Sequence, residues 1–67
     1  MILLGTEAKE LYYSIISRES NSTQTAGVFE YFDKGLVKYK AFTKISNELF
    51  QNNFESLETA LRWINGG

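Results

Sequence analysis

The sequence contains no cysteine, no histidine and no proline. Without cysteine there is no disulfide framework and no thiolate nucleophile. Without histidine the chain lacks the commonest general base and the commonest zinc ligand. Without proline it has no polyproline linker and no cis-proline switch. These absences remove the residue types on which many small catalytic and metal-binding sites depend.

The net charge is small as well, since seven basic and eight acidic residues give -1. Such a balance provides no overall attraction to nucleic acid or to acidic membranes. The only aspartate is Asp33, and the glutamates are scattered without a pair spaced for acid–base work. No phosphate-binding glycine loop, nucleophile elbow or dinucleotide fingerprint is present. We therefore expect no enzyme activity, no metal site and no cofactor.

Length and hydropathy predict one small domain over residues 1–67. A chain of this size buries only about 60% of its unfolded surface, so its core is small. The 15% aromatic content argues against disorder. The apolar start, Met1–Leu4, is shorter than the apolar run of about 7–15 residues in a signal peptide or of about 20 in a membrane span. We expect a cytoplasmic protein that does not bind membranes.

A β-hairpin is the strongest local pattern, with β-rich runs at 28–32 and 36–42 flanking Asp33-Lys34-Gly35. A three-residue loop with Gly35 in the left-handed region places Phe32 opposite Leu36. This register puts Glu30 opposite Lys38, an attractive cross-strand pair. It assigns one face to Phe29, Tyr31, Val37, Tyr39 and Ala41.

Residues 7–18 fit either a strand or a helix. In a strand, Leu11, Tyr13 and Ile15 share one face, and the paired aromatics and isoleucines favour β structure. In a helix, Ala8, Leu11, Tyr12 and Ile15 follow the spacing i, i+3, i+4, i+7, with Thr6 as the N-cap. We favour the strand, with a hairpin turn at Ser20–Thr23, which makes a three-stranded antiparallel meander.

The C-terminal residues predict a helix over Leu57–Asn65. Its apolar positions are Leu57, Ala60, Leu61 and Ile64, its N-cap is Ser56, and Gly66 follows its end. The apolar stripe continues backward through Phe54 and Phe50. An extension to Asn47 is therefore an open alternative, opposed by the poor helix formers Asn52 and Asn53.

These elements predict an α+β fold with two layers, a three-stranded antiparallel meander packed on a C-terminal helix. One sheet face and the helix stripe make the core. Its expected members are Leu11, Tyr13, Ile15, Phe29, Tyr31, Val37, Tyr39, Leu57, Leu61 and Ile64.

The second face of this predicted sheet is roughly half apolar, enough for a patch of several hundred Å² that marks an interaction site. It carries Tyr12, Ile16, Val28, Phe32, Leu36 and Phe42, interleaved with Arg18, Glu30, Lys38, Lys40 and Lys44. Either the N-terminal residues or residues 49–54 fold over this face, or it binds a partner. Trp63, at the flank of the helix stripe, is of a type favoured at interfaces.

The sequence thus predicts a small non-catalytic protein-binding module, an accessory regulator or inhibitor of the kind that phages and other mobile elements encode. It would dock on a larger protein and block its surface, or form a homodimer through the same face or a sheet edge. The expected partner-binding residues are Phe32, Leu36, Lys38, Lys40, Phe42 and Trp63. The alternative is a single-stranded nucleic-acid binder that stacks bases on Tyr12, Phe32 and Phe42, with Lys38, Lys40 and Lys44 on phosphates.

Overall fold

The computed structural model describes residues 2–17 and 25–66. Its elements are β1 (Leu3–Leu4), α1 (Gly5–Ile16), β2 (Ala26–Asp33), β3 (Leu36–Ile45), β4 (Glu48–Phe54) and α2 (Leu57–Ile64). The strands form one mixed sheet in the order β1-β2-β3-β4, with β1 parallel to β2 and the other neighbours antiparallel. The α+β class is confirmed, but the sheet has four strands and the described chain has two helices.

The segment that we assigned to a first long strand is the helix α1, so the favoured assignment for residues 7–18 was wrong. The buried residues of α1 are Ala8, Leu11, Tyr12 and Ile15, the four positions of the alternative helical spacing. Burial of this stripe against the sheet outweighs the β preference of the neighbouring tyrosines and isoleucines. The helix begins at Gly5, with Leu4 rather than Thr6 at the N-cap.

The predicted hairpin is present as β2 and β3, but its register was wrong by one residue. The turn contains two residues, Lys34 and Gly35, and Asp33 pairs with Leu36. Both turn residues have positive φ angles, 54° and 81°, as in the type I′ turns whose twist matches that of the flanking strands. Glu30 consequently pairs with Tyr39, and Lys38 pairs with Tyr31.

Residues 48–54 form β4, so the helix does not extend back to Asn47. A second two-residue turn at Ser46 and Asn47, with φ angles of 52° and 67°, joins β3 to β4. The turn at Ser20–Thr23 and the position of Arg18 lie outside the described residues. The final helix is confirmed as α2, where the Ser56 side chain accepts a hydrogen bond from the Thr59 backbone N–H.

The two helices lie on opposite faces of the sheet. The α1 face carries the odd-numbered residues of β2 and β4 and the even-numbered residues of β3, and α1 packs on Phe29 and Phe42. The α2 face carries the alternate residues, and Ala60 of α2 packs against Val28 and Ala41. The arrangement therefore has three layers rather than the two that we expected, with a core on each side of the sheet.

The core differs from the predicted one because of the register and the position of α1. Leu11, Ile15 and Phe29 are buried as expected, whereas Tyr13, Val37 and Leu57 are exposed. The other four expected members, Tyr31, Tyr39, Leu61 and Ile64, are half-buried. The largest fully buried side chains are Phe42 and Val28, which we had placed on the open face.

Candidate docking surface

The single open face that the sequence predicted is not formed. Tyr12, Val28 and Phe42 are buried, with Phe42 0% exposed beneath α1. Of the expected partner-binding residues, Leu36, Lys38 and Lys40 lie on the α1 face and Phe32 lies on the α2 face. Phe42 is a core residue and is not available to a partner in the folded chain.

The β2–β3 hairpin end, residues 31–38, lies beyond both apolar cores. Phe32 and Leu36 are 71% and 63% exposed, and Val37 is 43% exposed. Phe32 and Val37 are directly paired on the α2 face, whereas Leu36 lies on the α1 face. Both faces of this hairpin end therefore present apolar side chains to solvent.

The hairpin end is closed by a two-residue turn and carries an ion pair between its strands. The Lys38 Nζ donates a hydrogen bond to Asp33 Oδ2 at 3.1 Å across the turn. This hydrogen bond, together with the charge of the carboxylate, raises the pKa of Lys38 above its ordinary value. Lys38 thus forms its ion pair within the hairpin. The sequence did not indicate this pair, because the predicted register placed Lys38 opposite Glu30.

Beside the hairpin end, Lys40 lies between two tyrosine rings on the α1 face. Its Nζ is 5.2 Å from the centre of the Tyr12 ring and 5.6 Å from that of Tyr31. Such contacts stabilise a lysine cation through the negative faces of the rings. The two tyrosine hydroxyls donate to side chains of β4, Tyr12 to Gln51 and Tyr31 to Asn53.

Trp63 is separate from these residues. It lies in α2, is half-buried, and packs on Phe54 with ring centres 5.9 Å apart. This contact joins α2 to β4, and Trp63 packs against the core on the α2 face.

The described residues contain no group of three or more acidic side chains arranged to hold a metal ion. No helix within residues 2–17 and 25–66 is long and apolar enough to cross a membrane. No protein-family model, curated protein or solved structure matches the chain. The surface must therefore be interpreted from its own chemistry.

Proposed function

We propose that the chain is a small non-catalytic protein-binding module, an accessory regulator or inhibitor that docks on a larger protein and blocks its surface. The observation that supports this function best is the hairpin end with Phe32, Leu36 and Val37 exposed. Apolar side chains that the fold leaves uncovered, gathered at one end of a sheet, are typical of an interaction site.

The placement of these residues favours insertion into a cleft over contact with a flat surface. Phe32 and Val37 lie on one face of the hairpin end and Leu36 on the other, so only a partner that contacts both faces buries all three. The type I′ turn and the Lys38–Asp33 pair favour the hairpin conformation before binding. Ordering in the free protein reduces the entropy lost on association.

The nucleic-acid alternative loses two of its three stacking residues, because Tyr12 and Phe42 are buried in the α1-face core. Base stacking needs an aromatic ring that is open to solvent. Of the three, only Phe32 is exposed, and its cross-strand partner on the α2 face, Val37, carries no positive charge. Protein docking is therefore the better supported function.

Site-specific photocrosslinking tests this proposal. Benzoylphenylalanine is incorporated at Phe32 and, as a matched control, at Tyr13, an exposed aromatic residue of α1. In cells that produce the chain naturally, we expect one discrete adduct from position 32 and none from position 13. The adduct should exceed twice the 7.7 kDa mass of the chain.

Two results would contradict the proposal. Absence of an adduct from position 32 would show that the hairpin end is not a docking surface. An adduct of two copies of the chain would show that the hairpin end serves self-association rather than docking on a larger protein. A circular-dichroism melt of each labelled variant confirms that the fold is retained.

A further inference from the structure

We propose that Lys40, Gln51 and Asn53 form a carboxylate-binding site, which takes an acidic side chain of an extended partner segment added to β4. This inference rests on the proposed function, since it gives the chemistry of one segment of the partner. The proposed site lies on the α1 face next to the hairpin end, and Tyr31 of the hairpin end hydrogen-bonds to its Asn53.

The two amides are oriented by the tyrosines. Tyr12 Oη donates to Gln51 Oε1 at 2.8 Å, and Tyr31 Oη donates to Asn53 Oδ1 at 2.9 Å. Because each amide oxygen accepts a hydroxyl, the amide NH2 group of each side chain remains available as a donor. Gln51 and Asn53 are two positions apart on β4, so their side chains lie on the same face of the strand.

Lys40 adds a positive charge to these two donors. It is the direct cross-strand partner of Asn53, and its ammonium lies on the Tyr12 and Tyr31 rings. Among the described residues, the ion pairs are Lys38–Asp33 and Arg62–Glu58, so no described carboxylate lies within 4.0 Å of Lys40. The cluster offers one cation and two amide donors on a single face, the set that a carboxylate accepts through charge-assisted hydrogen bonds.

The exposed edge of β4 gives an extended segment a place to bind. β4 lies at the end of the sheet, its seven residues contain no lysine or proline, and its one charged residue, Glu48, is at its start. Its pairing with β3 continues without a bulge from Tyr39–Phe54 to Ile45–Glu48. Natural sheets usually protect an edge of this length with charges, proline or bulges. Its openness is typical of an edge that receives another strand.

The hydrogen bonds of β4 show which backbone groups face outward. The Asn53 N–H donates to the Asn52 side-chain Oδ1 at 2.9 Å and is therefore not used in pairing with β3. In an antiparallel pair, residues whose backbone groups bond to the neighbouring strand alternate with residues whose backbone groups point away from it. Leu49, Gln51 and Asn53 therefore direct their backbone N–H and C=O groups to the free edge of β4. In the complex, the Asn53 N–H would donate to a backbone carbonyl of the added strand instead of to Asn52 Oδ1. The side chains of the added strand on the α1 face would lie beside Gln51 and Asn53.

The surrounding charges favour a protein segment over a nucleic acid. The exposed residues Glu48 and Glu55 lie at the two ends of β4. A phosphate backbone following the strand would meet both carboxylates and be repelled. A peptide segment needs only one acidic side chain, placed beside Gln51 and Asn53 on the α1 face, and can carry neutral residues at its ends.

Nuclear magnetic resonance titration of the full chain tests this site with two blocked pentapeptides, of sequences TVEVT and TVQVT. We expect the acidic peptide to shift the side-chain amide signals of Gln51 and Asn53. It should bind about tenfold more tightly than the neutral peptide, the ratio that a charge-assisted hydrogen bond provides. Lys40→Met should remove this preference, whereas the control Lys44→Met, on the same face of β3, should retain it.

Equal binding of the two peptides, or no shift of the Gln51 and Asn53 side-chain signals, would overturn the carboxylate site. A thymidine octanucleotide that binds at the same signals more tightly than the acidic peptide would also overturn it, in favour of a nucleic acid. These failures are distinguishable from failure of the proposed function, because photocrosslinking at Phe32 does not depend on Lys40. A spectrum of Lys40→Met with native dispersion shows that the variant is folded.

Discussion

Ala8 of α1 lies directly over Gly27 of β2, so that the sheet has no room for a side chain at this position. A Cβ atom on Gly27 would lie 2.9 Å from the Cβ of Ala8 and 2.9 Å from Cζ of Phe42. The absence of a side chain at Gly27 thus allows the helix to approach the sheet and to bury Phe42.

The close approach predicts that Gly27→Ala lowers the free energy of unfolding by about 1–3 kcal/mol through overpacking. Chemical denaturation measures the change. The double variant Gly27→Ala/Ala8→Gly relieves one of the two contacts, so its loss should be smaller than the sum of the two single losses. Strict additivity of the three values would contradict direct contact between these positions.

The two phenylalanines that the sequence placed on one face should respond very differently to alanine. Phe42→Ala should lower the free energy of unfolding by about 3–5 kcal/mol, because it empties a site in the core. Phe32→Ala should change the free energy of unfolding by no more than about 0.5 kcal/mol, because Phe32 is exposed. Similar losses in urea denaturation would mean that the register of the hairpin is not the one described.

The first hairpin turn should be improved by a residue that adopts positive φ more readily than lysine. Lys34 has a φ of 54°, and Lys34→Asn creates the Asn-Gly pair favoured in type I′ turns. We expect a gain of about 0.5 kcal/mol, or about 2–4 °C in Tm. The control Lys9→Asn, on the exposed surface of α1, should lower the Tm slightly because asparagine is a poorer helix former. A lower Tm for Lys34→Asn would contradict the assigned turn.

The raised pKa of Lys38 in the Lys38–Asp33 pair predicts a pH dependence of stability in alkaline solution. The hydrogen bond from Lys38 to Asp33 raises the lysine pKa above 10.5, so its stabilisation is complete below that pH and is lost as the pH rises through the folded-state pKa. Asp33→Asn should return the pKa toward 10.5, as measured by titration of the Lys38 side-chain signals. Glu30→Gln, on the opposite face, should leave it raised. An unchanged pKa in Asp33→Asn would show that the carboxylate is not its cause.

The sequence predicted the elements whose local patterns agree with one another. In α2, the apolar spacing, the Ser56 cap and the positions of Glu58 and Arg62 all indicate a helix, and the structure confirms it. Residues 7–18 carried two conflicting patterns, and β propensity was given too much weight against the helical spacing of the apolar residues. Only contact with the sheet decides between such patterns.

The site was less predictable because a shift of one residue exchanges the faces of a strand. The sequence does not indicate that Lys34 adopts a left-handed backbone conformation, so a three-residue loop was preferred to the two-residue turn. The resulting register placed Phe42 on the open face. The contacts around Lys40 were also missed, since they join α1 to β4 over 39 residues of chain, as in the Tyr12–Gln51 hydrogen bond. Phe32 and Leu36 were assigned to the surface, where the structure has them exposed.

The most direct test of the central claim is the dissociation constant of the partner identified by crosslinking, measured with the purified chain and two variants. We expect Phe32→Ser to weaken binding by about tenfold or more, as for an aromatic anchor of an interface. Tyr13→Ser, which also removes an exposed aromatic ring but on α1, away from the hairpin end, should leave the constant unchanged. Equal affinity of Phe32→Ser and the unaltered chain, with both folded, would contradict docking through the hairpin end.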